Sequence, residues 1–345
     1  MHKSGAMAAV AMQNNLVVSM LSLDHIDWSH LGQWVKQLGW KRFQSTLVLP
    51  YQDYQLQMLP APDVEDHELA DAMRFRLGEL TTTPLEKLQV QAFRLPPDAY
   101  RGRQSMAFVA FAEQSAVFQQ VQGCREQDLR LEHITIGEMA LLDLVAEVEP
   151  EASIALLQLD DTSGKTLLYS NGALYLRRDF NVGYQTVASE LETLKPKAAP
   201  EPEPVSASDP SQDDMGSSDE QPDGIVEGLT ASELTLSDDF ALNKPLVNHP
   251  ELDRLTLEIQ RSLDYFDSQL AMGVVGQLWL VTSGSPLEDS LLEALEQQLN
   301  LPCRRFSLRT WLNDTESDWN HATSCALGAA LGISHEVVSE SEDIS

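Results

Sequence analysis

Hydrophobic and polar positions alternate through residues 154–183, IALLQLDDTSGKTLLYSNGALYLRRDFNVG, in a pattern that spells strand, turn, strand, turn, strand. Residues 154–159 are a short apolar run, and residues 160–164 are the small polar residues that close hairpins. Residues 166–169 are apolar again. Ser170, Asn171 and Gly172 signal a second turn, because asparagine and glycine tolerate positive φ. Residues 173–178 supply the third strand, and Leu167, Tyr169, Ala173 and Tyr175 predict that at least one sheet face is buried. The stretch reads on its own as an antiparallel meander. Its place after a complete first half, and before a second α/β segment, points to a duplicated fold.

The first half carries its own elements. Residues 6–12 and 16–21 predict two short strands around Gln13, Asn14 and Asn15. Residues 25–38 predict a helix with Trp28, Leu31, Trp34, Val35 and Leu38 near one face, ended by Gly39. Strands follow at 45–49 and 54–59, closed by Pro50 and Pro60. Residues 65–80 read as a helix, since Leu69, Met73, Leu77 and Leu80 recur at three and four residues. Strands at 88–94, 104–111 and 131–136 and helices at 114–127 and 138–148 complete the half. The order predicts a first lobe over 1–150 with a small α+β unit inserted at about 50–136.

A second lobe begins at 151–192. Over 193–248 the composition turns to proline, acid, serine and glycine, which cannot bury a core, and predicts a disordered acidic insertion. Within it, residues 229–246 read as linker, with a short docking motif around Leu234 to Phe240 as the alternative. The lobe resumes over 249–338 with a long helix bearing Leu252, Leu255, Ile259, Leu263 and Phe266 on one face. A strand at 275–281, a helix at 287–299, an edge strand at 302–306 and a small-residue helix at 322–331 follow. Trp311 and Trp319 fall in a polar loop, Trp279 reads as core, and 339–345 reads as a frayed acidic tail.

Charge narrows the function. The 345 residues carry a formal net charge of -30, and the pI is about 4.4. That disfavours nucleic acid, which demands a basic surface, and anionic lipid; it permits a basic protein segment. Cys124, Cys303 and Cys325 are odd in number and widely spaced, so neither a disulfide framework nor a zinc knuckle is indicated, and a reducing, cytoplasmic setting is expected. The N-terminal stretch reads as a hairpin rather than a signal peptide. No run reaches the length of a membrane span. The eight histidines show no metal-ligand spacing.

Several segments, taken in order, resemble the PilM family of type IV pilus assembly. They are LPYQDYQLQMLPAP with ELADAMRFRLGEL, NGALYLRRDFNVG, LTLEIQRSLDYFDSQL, and LWLVTSGSPLEDSLLEAL with ATSCALGAAL. Within that family the likeness is to the MshI branch, which serves the mannose-sensitive haemagglutinin pilus. The resemblance implies an α/β, actin-like (ribonuclease H-like, duplicated) two-lobed fold with a small α+β subdomain in the first lobe. It also implies a cleft for nucleotide and a cytoplasmic protein that binds the N-terminal tail of a PilN-like inner-membrane subunit.

An actin-like cleft needs two hairpins that present backbone N–H groups to phosphate, with acids that hold a metal. Where the family pattern has an acid and a glycine in the first hairpin, this chain has Met12 and Asn14. The second hairpin offers Asp160, Asp161 and Lys165. Adjacent acids without glycine repel phosphate unless a metal intervenes or Lys165 offsets them; the alternative is that all three are plain hairpin-turn residues. The third loop, Thr282 to Ser285, keeps Gly284, and Ser285 is placed to cap the next helix. By the family likeness Glu258 and Arg261 border the base; a surface pair is the alternative. The expectation is a degenerate cleft, without ATP hydrolysis and with at most weak ATP and magnesium binding. The leading function is a non-catalytic assembly module that holds a tail between the first lobe and its insertion. Tyr54, Leu56, Met58, Leu69, Met73 and Phe108 form the candidate surface, each with a core role as the alternative. The rival functions are an ATPase that drives assembly and a filament-forming actin relative.

Overall fold

The structure is a computed structural model that describes residues 6–14, 16–41, 43–78, 80–100, 104–194, 249–270, 272–281, 285–306 and 320–342, with backbone alone at 98, at 100 and beyond 332. Residues 195–248 of the acidic insertion expected over 193–248, and Gly284, Trp311 and Trp319, lie outside these residues.

The chain opens with β1 (Met7–Gln13) and β2 (Leu16–Leu23), an antiparallel hairpin with a bulge between Ala11 and Met12. Asn14, in its turn, takes a φ of 53°. Helix α1 (Trp28–Leu38) starts where the Asp27 side chain accepts the His30 N–H and ends at Gly39, whose left-handed backbone suits glycine. Strand β3 (Ser45–Val48) follows.

An inserted unit comes next. It comprises β4 (Tyr54–Pro60), α2 (Asp66–Leu77), β5 (Leu88–Arg94) and β6 (Met106–Glu113), with the strands in the order β4-β6-β5, all antiparallel. Leu69, Met73 and Leu77 of α2 pack with Leu88, Val90, Val109 and Phe111 into a core of their own. The chain then returns through α3 (Gln114–Glu126) to β7 (Leu131–Thr135), which pairs in parallel with β3. This pairing places β7 with the first-lobe strands, whereas the sequence reading extended the insertion to 136. The apolar helix α4 (Gly137–Val148) closes the lobe.

The second lobe holds β8 (Ile154–Leu159), β9 (Gly164–Ser170), β10 (Ala173–Phe180), α5 (Tyr184–Leu194), α6 (Pro250–Ser268), β11 (Gln277–Val281), α7 (Glu288–Leu299) and β12 (Cys303–Arg305); the last helix, α8 (His321–Glu342), packs on first-lobe elements instead, whereas the sequence reading kept 249–338 in the second lobe. Its five strands lie in the order β10-β9-β8-β11-β12, antiparallel across the meander and parallel from β8 through β11 to β12. The meander is therefore one half of a mixed sheet, and nearly all of β8 and β9 is buried. Trp279 is buried and stacks on Phe306 at 4.9 Å between ring centres.

Helix α8 ties the ends of the chain together. It packs on α4, β1 and β3. At Gly328 a Cβ would collide with the Ala140 carbonyl, so glycine is what lets the two helices approach so closely. The helix also continues to Glu342, through the segment expected to fray, because nothing between Gly332 and Glu342 breaks a helix.

Candidate functional site: the cleft between the lobes

A cavity of about 1290 Å³ runs along the first lobe and opens onto the turn between β8 and β9. Asn14, Asp160, Asp161 and Lys165 all line it, so the structure brings these four sequence candidates together. Glu258 and Arg261 do not line it. They pair with each other on α6, with Arg261 Nη1 donating to Glu258 Oε1 at 2.8 Å. Gly284 lies outside the described residues. Ser285 is described, and its hydroxyl accepts the Leu287 N–H at 3.3 Å at the start of α7.

The backbone of the second hairpin is already engaged. Asp160 N–H donates to Ser163 O at 2.8 Å, which closes the turn. The Asp160 and Asp161 carbonyls accept from Tyr184 N and Gln185 N at 2.9 and 2.8 Å. A side chain at Gly183 would strike this same backbone, so glycine lets α5 dock against the turn. The Asp160 N–H that a phosphate would need is thus spent inside the protein.

Beside the hairpin lies a buried cluster of charge that sequence reasoning overlooked. Glu138, only 1% exposed in the first turn of α4, accepts hydrogen bonds from the Tyr51 and Tyr54 hydroxyls, each at 2.6 Å. Lys165 Nζ and Arg177 Nη1 each stand 3.4 Å from Glu138 Oε1. Arg177 also pairs with Asp179 at 3.0 Å and donates to the Leu56 carbonyl at 3.4 Å. The Lys165 ammonium sits 3.1 Å from the centre of the Tyr51 ring, a cation–π contact. The cluster joins α4 of the first lobe, the root of the inserted unit and two strands of the second lobe. Two cations and two carboxylates cancel, so the site has no surplus positive charge for a triphosphate.

Burial shifts these groups. It pushes the Glu138 carboxyl up, opposed by Arg177 and the Tyr54 hydrogen bond. It pushes Lys165 well down, and Arg177 adds to that. The Tyr54 and Tyr169 hydroxyls are raised by burial and by Glu138, so both stay protonated donors. Cys325 stands 3.8 Å from the His321 ring nitrogens, which looks like a nucleophile and its base. Burial and Glu138 push its thiol up to about 12, so it remains a thiol at neutral pH. His321 instead faces Gln158 Nε2 at 2.6 Å.

Magnesium nucleotide finds a poor fit here. The first hairpin has no acid at Met12, the second has its turn closed on itself, and Lys165 is held by Glu138 and Asp179. Among the described residues no group of three or more His, Cys, Asp or Glu side chains is placed to hold a metal.

The six candidate tail-binding residues are packed inside. Tyr54, Leu56 and Phe108 belong to the main core, with Met58 packed against it, and Leu69 and Met73 belong to the core of the inserted unit. Glu138 did leave a trace in sequence. It is an acid in the first turn of a helix, EMALLDLV, whose next four residues are all apolar.

No protein-family profile matches the chain, and no curated protein does. Solved structures do. The match to the PilM-PilN type IV pilus biogenesis complex covers 95% of this chain and 96% of that one, with a TM-score of 0.61 and 18% identity. The fold is actin-like. Two weaker matches are the cytoplasmic domain of EpsL, an inner-membrane component of the type II secretion system of Vibrio cholerae, and a Bacteroides thetaiotaomicron protein of actin-like ATPase fold. The first has a TM-score of 0.36 and 8% identity over 56% of this chain and 79% of that one. The second has 0.40 and 10% over 95% and 96%. At that distance they add nothing to the argument. Among the described residues no helix is long and apolar enough to cross a membrane.

Proposed function

We propose that this chain is a cytoplasmic, non-catalytic component of type IV pilus assembly, of the MshI kind that serves a mannose-sensitive haemagglutinin pilus. It holds the cytosolic tail of a PilN-like inner-membrane subunit, and its cleft has given up nucleotide. The observation that carries this reading is the buried, charge-balanced cluster of Glu138, Lys165, Arg177 and Asp179. In an actin-like fold a bound nucleotide bridges the two lobes; here side chains do. Likeness in fold to a chain of the PilM-PilN complex supports the choice of partner, and the acidic balance of the chain favours a tail with lysine or arginine.

The test has two arms. Labelled ATP with magnesium is titrated into the purified full chain, and the tail peptide of a PilN-like subunit is titrated separately. The expected result is saturable binding of the peptide and none of the nucleotide. Magnesium-dependent turnover of ATP would overturn the non-catalytic reading and restore the motor ATPase. Filaments that pellet without peptide binding would point to a polymerising actin relative.

A further inference from the structure

The first lobe lacks one strand of the plan that the second completes. In the second lobe β8 and β9 pair antiparallel, β10 adds antiparallel to the outer side of β9, and β11 and β12 run parallel on the other side of β8. In the first lobe β1 and β2 match β8 and β9 in order and pairing, and β3 with β7 matches β11 with β12. No described strand of the first lobe matches β10. Only four residues separate the end of β2 at Leu23 from the start of α1 at Trp28, too few for a turn and a further strand. Among the described residues β2 therefore has a ladder on one side, to β1, and none on the other.

That bare edge also lacks the residues that keep an edge from pairing. Charges and prolines on edge strands block the addition of a further strand. Such residues stand on the other edge strands: Glu132 on β7, Arg178 on β10, Arg304 on β12, Arg94 on β5 and Pro60 on β4. The eight residues of β2, LVVSMLSL, include no charge, no proline and no glycine. Leu16 and Val18 are 48% and 52% exposed. The one guard is the bulge, which leaves Val18 without a partner on β1 and residues 19–23 as the longer regular run.

We propose that the open edge of β2 is a self-association surface, on which a second copy of this chain lays its own β2 antiparallel, so that the two first lobes share one sheet. The second lobe shows what such an edge takes: β10 sits on β9 as an antiparallel strand. A two-fold axis normal to the sheet makes two copies of β2 antiparallel, the same sense. Charge favours the copy over a basic tail. A chain of net charge -30 repels a second copy of itself, and β2 offers that copy eight uncharged residues. A tail bearing lysine or arginine finds no acid on β2 to pair with. Antiparallel pairing also keeps the two Asp24 carboxylates, which follow the strands, at opposite ends. The neighbours across the new ladder are leucine, valine, methionine and serine, with no like charges opposed. No residue of β2 lines the cavity, so this surface is separate from the cleft and does not depend on the partner proposed above.

Sedimentation equilibrium of the full chain over a range of concentration, at low and at high salt, tests this. The expected result is a monomer–dimer equilibrium that tightens as salt is raised, because salt screens the repulsion between two acidic chains and leaves an uncharged ladder intact. Hydrogen–deuterium exchange at high against low concentration should slow amides within residues 16–23. Val18→Glu changes a half-exposed side chain and sets a carboxylate beside the ladder in each copy. It should weaken the dimer at least about tenfold and leave melting of the dilute monomer unchanged. A chain that stays monomeric at the highest concentration and salt overturns the proposal. So does a dimer that Val18→Glu leaves as tight as before, or one whose protection falls on residues 131–135 in place of 16–23. Growth beyond a dimer would show an open contact where a closed two-fold pair is expected, and overturns it too. Protection of residues 16–23 by the tail peptide in the dilute monomer would give the edge to the tail, and self-pairing falls.

Discussion

The two lobes repeat one plan with opposite outcomes. In the second, five strands form a continuous sheet, and β8 and β9 are buried almost without exception. In the first, four strands form two separate pairs, and β1 and β3 are mostly half-buried. The side chains explain the difference. Central strands that face helices on both sides are stabilised by long apolar runs. IALLQL and QLWLV supply them in β8 and β11, whereas MAAVAMQ has three alanines and STLV has two hydroxyl residues. Closing β1 on β3 would bury little apolar area, at about 25 cal/mol per Å². The second lobe is the frame. The first has no ladder between β1 and β3, where the second joins β8 to β11.

The largest effect is expected where the two halves are tied. Glu138→Ala strands Lys165 and Arg177 in a buried site without their shared acceptor, and leaves the Tyr51 and Tyr54 hydroxyls without theirs. Breaking a buried ion pair from one side costs about 3–5 kcal/mol. Urea denaturation should show that loss. A variant as stable as the parent would mean that the cluster does not hold the lobes together.

Next comes the second-lobe sheet against the first-lobe strands. Leu280 is fully buried in β11, so Leu280→Ala should cost about 2–5 kcal/mol. Leu47 in β3 is half-buried and lines the cavity, so Leu47→Ala should cost about 1 kcal/mol or less. Chemical denaturation of both variants checks the ranking. Equal losses would erase the contrast between the lobes.

The cluster should also leave a signature in pH. Lys165 in the folded chain lies below its ordinary value of 10.5, pushed down by burial and then by Arg177. Between the two values the unfolded chain binds more protons, so stability falls as pH drops from 10.5 toward the folded value. Glu138 works in the opposite sense. Burial raises it above 4.5, the folded chain binds more protons, and stability falls as pH rises from 4.5 toward the raised value. Lys165→Met should flatten the alkaline limb of a plot of Tm against pH, and Glu138→Gln the acid limb. Tyr51, Arg177, Asp179 and Cys325 surround both groups and remain in either variant. Unchanged limbs would remove the cluster from the pH response.

Most elements were legible because their periodicity is local. The meander, the amphipathic α6 and the edge strand β12 appear within a residue or two of their expected places. Helix α5 went unread, since YQTVASELETL abuts the compositional shift at 195 and has only Tyr184, Val187 and Leu191 fully buried. The site was harder. Asn14, Asp160, Asp161 and Lys165 line one cavity, as the family resemblance implied; the hairpin pattern alone read only as two separate turns. The partners that decide their chemistry, Glu138 and Arg177, are distant in sequence and meet Lys165 only through tertiary packing. The missing ladder between β1 and β3 had no sequence signal of its own, because a strand's local pattern does not name its neighbour.

The smallest expected effect concerns α6, none of whose residues lines the cavity. Arg261 is 54% exposed and pairs with Glu258 three residues earlier on the same helix. An exposed pair of this spacing contributes about 0.3–0.5 kcal/mol, and salt screens it. Arg261→Ala should therefore change stability by no more than about 0.5 kcal/mol and leave tail-peptide affinity unchanged. The result matters because the family likeness assigns this pair to the border of a nucleotide base, whereas the structure keeps it out of the cavity. If Arg261→Ala instead abolished a measurable nucleotide affinity, the second lobe would hold ligand as well as frame, and the division of labour between the lobes would have to be redrawn.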